Sequence, residues 1–187
     1  MHFGQILQRA LIQCGEDVAD LEEYRELLTG YVNEGYHRIL REAYRPKKQQ
    51  TLYIEAGGIA SISVLKRAVE ITHVARGGKS MPYVYHPMER ALEVVGAKEG
   101  DEISVTYTHD EPDMVDGDDE PRIPETAHGA LADYATYRYL INGNLVKQQR
   151  AQAFLRAYVD AMRRVQPYGG ADGGMKNWNN LYRATRG

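Results

Sequence analysis

Three groups of residues have types and spacings that could do chemistry. Gly78-Lys79-Ser80 resembles the end of a phosphate-binding loop, where backbone N–H groups cradle phosphate and the lysine reaches it. That motif needs a glycine five positions before Gly78, and His73 stands there. It also needs a long helix afterwards, whereas Met81-Pro82 and more β-type sequence follow. The run therefore reads as a hairpin turn. Residues 110–120 carry 7 acids and no base, which raises calcium. Their one glycine, Gly117, does not hold the sixth place of an Asp-x-Asp-x-Asp-Gly loop, and no glutamate follows at the ligating distance. A solvated acidic loop is the expectation.

Histidines 2, 37, 73, 86, 109 and 128 show no ligand spacing such as His-x-x-x-His. His128 reads as a packing or capping residue. The one cysteine, Cys14, falls in an apolar helical stripe and reads as a structural thiol. There is no Gly-x-Ser-x-Gly elbow. Catalytic triads are geometric, so a hydrolase could hide in such a chain; Glu125 and Asp133 are the carboxylates that could serve as its pair. No catalytic residue, metal site or cofactor is expected.

The elements that position these residues run helix, helix, a β-rich middle, helix, helix and a tail. Phe3, Ile6, Leu7, Ala10, Leu11 and Cys14 recur at helical spacing, and Gly15 stops them. Asp20 followed by Glu23 predicts a capping-box start for a second helix. Its stripe is Tyr24, Leu27, Leu28, Tyr31, Val32, Ile39, Leu40 and Ala43; Gly30 and Gly35 are places to bend, and Arg45-Pro46 ends it. Short β-type runs follow at 51–55, 61–65, 68–75, 83–86, 92–95 and 102–108, separated by glycine and proline turns. Ile103, Val105 and Tyr107 alternate with polar residues, as in a strand with one buried face.

Pro124 fits the first turn of a third helix, with Ala127, Ala130, Leu131, Tyr134 and Ile141 on one face. Asn142-Gly143 stops it and Asn144 caps a fourth, which buries Ala151, Phe154, Leu155, Tyr158, Met162 and Val165 and turns Arg156 and Arg163 outward. The link is short, so these two helices form an antiparallel hairpin. The expected fold class is α+β: a four-helix core, two helices from each end of the chain, with an inserted small antiparallel β-domain and an extended C-terminal arm. The division is 1–46 for the N-terminal helical pair, 47–109 for the β-rich region, 110–122 for the acidic loop, 123–166 for the C-terminal hairpin and 167–187 for the arm. The arm holds five glycines after Tyr168 yet keeps Tyr168, Trp178, Leu181 and Tyr182, a composition that orders by docking on a partner.

At 187 residues and 43% hydrophobic, the chain is long enough for one ordinary domain and is not disordered throughout. No stretch approaches the length of a membrane span, and the start lacks signal-peptide character, so a soluble, intracellularly made protein is expected. A single cysteine makes no internal disulfide. Net charge is −3 but uneven: −3 over 1–45, +1 over 46–109, −7 over 110–120 and +6 over 121–187. A free DNA-binding module usually carries a basic excess. Tyrosine is abundant, 14 against 2 Phe and 1 Trp; it suits subunit contacts, and equally a core that simply uses tyrosine.

The order of parts resembles tailed-bacteriophage head-to-tail adaptor proteins, also called connectors or tail tubular proteins of the A type. Leu27-Leu28 followed by Val32-Asn33-Glu34-Gly35-Tyr36-His37-Arg38-Ile39 is similar to that family's Leu…Ile-Asn-Glu-Ala-Tyr helix. Ile123-Pro124-Glu125-Thr126-Ala127-His128-Gly129-Ala130-Leu131-Ala132-Asp133-Tyr134-Ala135, after an acidic loop, is similar to its Ile-Pro…His…Ala-Leu…Tyr-Ala helix start. Asn142-Gly143-Asn144 and the helix through Arg150-Ala151-Gln152-Ala153-Phe154 continue like its final hairpin. Thr106-Tyr107-Thr108 matches its last strand.

What the resemblance implies is a structural virion protein of the neck, not an enzyme, assembled in the host bacterial cytoplasm. Twelve copies would form a ring beneath the portal, extend the DNA channel and give the tail a platform. Its partners would be the portal protein, tail or nozzle proteins and other copies of itself; genomic DNA would pass without specific binding, and no membrane is involved. Tyr168, Trp178, Leu181 and Tyr182 would dock the arm on the portal or a neighbour, with Lys176, Arg183 and Arg186 pairing to acids. Asp110, Glu111, Asp113, Asp116, Asp118, Asp119 and Glu120 would face the channel or the tail, where negative charge repels DNA; alternatively they pair with the basic fourth helix of a neighbour. Competing readings are a stopper- or terminator-type neck component, a peptidoglycan-cleaving neck hydrolase, and a helix-turn-helix DNA-binding regulator. The last fits poorly with Glu22, Glu23, Glu26 and Glu34 on the second helix.

Overall fold

A computed structural model of the chain describes residues 1–165. Helices α1 (Phe3–Cys14) and α2 (Leu21–Ile39) precede seven strands, and α3 (His128–Ile141) and α4 (Leu145–Val165) follow them. The strands are β1 (Lys47–Tyr53), β2 (Ile59–Ser61), β3 (Ala68–Arg76), β4 (Lys79–Ser80), β5 (Tyr83–His86), β6 (Ala91–Val94) and β7 (Glu102–His109). This is the expected α+β class, four helices with an inserted antiparallel β-region. The arm 167–187 lies outside the described residues.

The apolar stripe of α1 is wholly buried, from Phe3 to Cys14. It packs with Leu28, Val32 and Tyr36 of α2, Leu131 and Tyr134 of α3, and Tyr158 and Met162 of α4 into one core. Each fully buried large side chain contributes about 1.5–3 kcal/mol. Burial pushes the Cys14 thiol up to about 12, so it is inert as a nucleophile at neutral pH. α3 packs against the other three helices. At one end of the bundle, the first turn of α1 and the start of α3 meet the C-terminal parts of α2 and α4. At the other end Tyr139 reaches Glu16 (2.8 Å) and crosses Tyr24 edge to face.

Several local expectations are corrected. Asp20 makes no capping bond; it lies in a 3-10 turn, Val18–Asp20, whose cap is Asp17, accepting from Ala19 N at 2.9 Å. Leu27, placed on the buried stripe, is 44% exposed. α2 runs unbroken through Gly30 and Gly35, and Arg45, in the left-handed region, ends the π-helical turn Leu40–Tyr44 that extends it. Leu140, not Ile141, is buried on α3, and Phe154 is half-buried. Asn144 does cap α4, accepting from Lys147 N at 3.0 Å.

The β-region holds two sheets, ordered β1-β7-β3-β4 and β2-β6-β5, around a second core that includes Leu52, Leu92, Ile103 and Val105. β1 begins at Lys47 because the ladder to β7 (Lys47↔Thr108 onward) satisfies its backbone whatever its side chains. The 61–65 run is mostly turn: Ile62 and Leu65 are buried, but Leu65 N bonds back to Ile62 O. Gly77 and Gly78, both at positive φ, close the β3–β4 hairpin, so Lys79-Ser80 is a short strand after a turn.

Candidate functional site

Residues 110–122 are the most charged stretch, and they fold back as a strap across the helical bundle. Asn33, buried on α2, holds the strap by both backbone groups of Met114: its Nδ2 donates to Met114 O and its Oδ1 accepts from Met114 N, each at 2.9 Å. Met114 is thereby seated in the core. Further along, Asp119 O accepts from Phe3 N (2.8 Å) and Gly117 O from Gly4 N (2.9 Å). These are N–H groups that an α-helix leaves unpaired at its start. Gly4 permits the approach, since a Cβ there would sit 3.3 Å from Gly117 O. The strap thus lies over the positive end of the α1 dipole, where its negative charge is favourable.

The other end of the strap meets the cations that close α2. His37 lies between two carboxylates, Nδ1 at 2.9 Å from Asp110 and Nε2 at 2.5 Å from Asp113. Both ring nitrogens thus face carboxylate oxygens of the strap. Arg41 also bonds Asp110. Burial works against ionisation of Asp110, but the bonds from Arg41 and His37 outweigh it and hold the carboxyl below its ordinary range. Glu111 is buried between His109 (2.7 Å) and Arg122 (3.1 Å), and Arg122 N donates to the hydroxyl of Tyr36. Among the described residues His109 Nδ1 is buried without a partner.

Beside the strap opens a cleft of about 590 Å³, lined among others by Tyr36, Asp113, Asp119, Glu120, Glu125 and His128. His128 is pinned at both nitrogens, to Ile123 O and to the Met1 nitrogen, each at 3.0 Å. Asp133 lies elsewhere on α3, bonded to Gln13 (2.9 Å) with Arg9 nearby, and burial pushes its carboxyl up against both. Eight positions separate it from Glu125, about 12 Å at helical rise, so the two carboxylates do not share a site.

Of the seven acids read as one exposed loop, Asp113, Asp116, Asp118 and Glu120 are exposed. Asp110 and Glu111 are turned inward, and Asp119 accepts from Val115 N and Asp116 N. The solvated-loop reading is corrected to that extent, because cations from α2 and Arg122 meet the inward pair. The proposed arm residues, Tyr168, Lys176, Trp178, Leu181, Tyr182, Arg183 and Arg186, lie outside the described residues. Sequence reasoning reaches Asn33 and His37 only as members of the family-like helix motif and of the histidine set, and it misses Arg41 and Arg122. The available signal was an asparagine inside an apolar stripe, one turn ahead of a histidine. Among the described residues no group of three or more His, Cys, Asp or Glu is placed to hold a metal, and no helix is long and apolar enough to cross a membrane. The chain matches the family model described as SU10 adaptor protein over residues 1–179. No curated protein matches it.

Proposed function

The chain belongs to the SU10 adaptor protein family, a phage head-to-tail adaptor family, and we propose that it works as one subunit of a ring beneath the portal. Membership makes it a structural adaptor of the virion neck whose partners are portal and tail proteins. The finer reading is that twelve copies, made in the host cytoplasm, stack their helical bundles side by side and extend the DNA channel. The helical parts 1–46 and 123–166 form the wall of the ring, and the β-rich region 47–109 projects from it. The arm 167–187 reaches the portal through Tyr168, Trp178, Leu181 and Tyr182, with Lys176, Arg183 and Arg186 meeting acids there.

The exposed acids of the strap, Asp113, Asp116, Asp118 and Glu120, face the channel or tail and keep passing DNA from adhering. The observation that carries this reading is the family match, which spans the whole described fold and both helical pairs. Light scattering of the chain mixed with its portal ring, full-length and truncated after Gln166, tests it. Full-length protein should join the portal in a large complex while the truncation stays small. Two chains that both ignore the portal would overturn it.

A further inference from the structure

The exposed face of the first half of α2 is acidic, and of its acids Glu22 alone is paired within the described residues, with Arg25 at 2.6 Å. Glu22, Glu23, Glu26 and Leu27 point outward there, and Gly30 lies near the middle of the face they define. A glycine inside a helix costs about 1 kcal/mol relative to alanine. Here nothing among the described residues accounts for it, since a Cβ at Gly30 would meet none of their atoms within 4 Å. Such a side-chain-free spot on an exposed helix lets another backbone come close.

α4 is the opposite in charge. Its outward face carries Arg150, Arg156, Arg163 and Arg164 around the small Ala153 and Ala157, with Asp160 as its one acid. Among the described residues Arg156 and Arg164 have no acidic partner, and no ion pair joins α2 to α4. Within one chain α4 approaches α2 at its other half, where Tyr158 donates to Gly35 O at 2.8 Å. The inward acids of the strap are already matched by His37, Arg41 and Arg122, whereas Glu23 and Glu26 are matched by nothing of their own chain among the described residues. Exposed apolar residues accompany both faces, Leu27 on α2 and Val146 on α4.

We infer that the acidic face of α2, centred on Gly30, is the docking surface for the arginine face of α4 from a second copy of this chain. The two surfaces are different patches of one molecule. The contact is therefore head to tail, the kind that propagates from copy to copy and closes into a ring when the rotation permits. Each copy carries both complementary faces, which favours another copy over any other occupant. The inference rests on the ring reading above and names the surfaces that would make it.

Charge exchange tests it on the full-length chain, with assembly followed by sedimentation velocity alone and on the portal ring. Glu23→Arg with Glu26→Arg, and separately Arg156→Glu with Arg164→Glu, should each weaken assembly roughly tenfold or more. All four changes in one chain should recover it to within about threefold of wild type. Gly30→Leu, at an open position that leaves the fold intact, should also block assembly. The pairing is overturned if either charge pair assembles like wild type, or if the fourfold variant is no better than its parents while wild-type rings form. A wild-type chain that never assembles, even with portal present, overturns the ring reading itself.

Discussion

The two halves of α2 each carry a glycine and a set of polar side chains, and they use them in opposite ways. In the second half the glycine and the polar groups facing the strap are consumed by their own chain. Asn33 holds Met114, Tyr36 accepts from Arg122 N, and His37 clasps Asp110 and Asp113. Gly35 exists because Tyr134 lies against it: a Cβ would come within 2.8 Å of that ring. In the first half Glu23 and Glu26 are exposed, and no described atom lies within 4 Å of where a Cβ of Gly30 would sit. One residue type in one helix thus marks close packing at one point and an unfilled surface at the other. The difference separates what holds the subunit together from what the subunit offers to others.

Gly35→Ala should break the internal half most severely. Tyr134 lies against Tyr158, ring centroids 4.7 Å apart and planes tilted by 48°, and its hydroxyl is tied to Glu34 at 2.8 Å, so overpacking of about 3 kcal/mol is expected, read as a lower urea midpoint. Asn33→Ala comes next, at about 2 kcal/mol, because it strands the buried N–H and C=O of Met114. In hydrogen exchange this variant should expose the strap before the bundle.

Asp110→Asn should have a smaller effect with a diagnostic pH dependence. Its carboxyl is held below the ordinary range in the folded chain. The stability it supplies is therefore present above its unfolded value, about 3.9, and lost as pH falls through the lower folded one. Wild type should be more stable than the variant at pH 7, and the gap should close in acid. Urea midpoints across that range check it. Gly30→Ala sharpens the comparison with the smallest effect and the reverse sign: about 0.5–1 kcal/mol of added stability for the free chain.

The parts of the fold readable in sequence are those set by local pattern. The α1 stripe from Phe3 to Cys14, the Asn144 cap, the β7 alternation and the Gly77-Gly78 turn all follow from neighbours within a few residues. The fold class followed from them, and the family resemblance from motifs on α2 and α3 that pack. The strap was hidden because its anchors are distant: Asn33 and Met114 stand 81 residues apart, His37 and Asp110 73. Seven acids in eleven positions look solvated until the positive end of α1 and the cations of α2 are brought beside them. The meaning of Gly30 was equally hidden, since only the folded chain separates a glycine under a tyrosine ring from one that no described residue covers.

The most direct test of the division between the two halves is disulfide cross-linking of a chain carrying both Glu26→Cys and Arg156→Cys, assembled on its portal ring. Cys14 is buried and held protonated, and stays out of the reaction. Head-to-tail docking of α2 on α4 predicts a ladder of covalent multimers from the double variant and none from either single variant. Assembled particles that yield no ladder, or a Glu26→Cys chain that cross-links to itself, would contradict it.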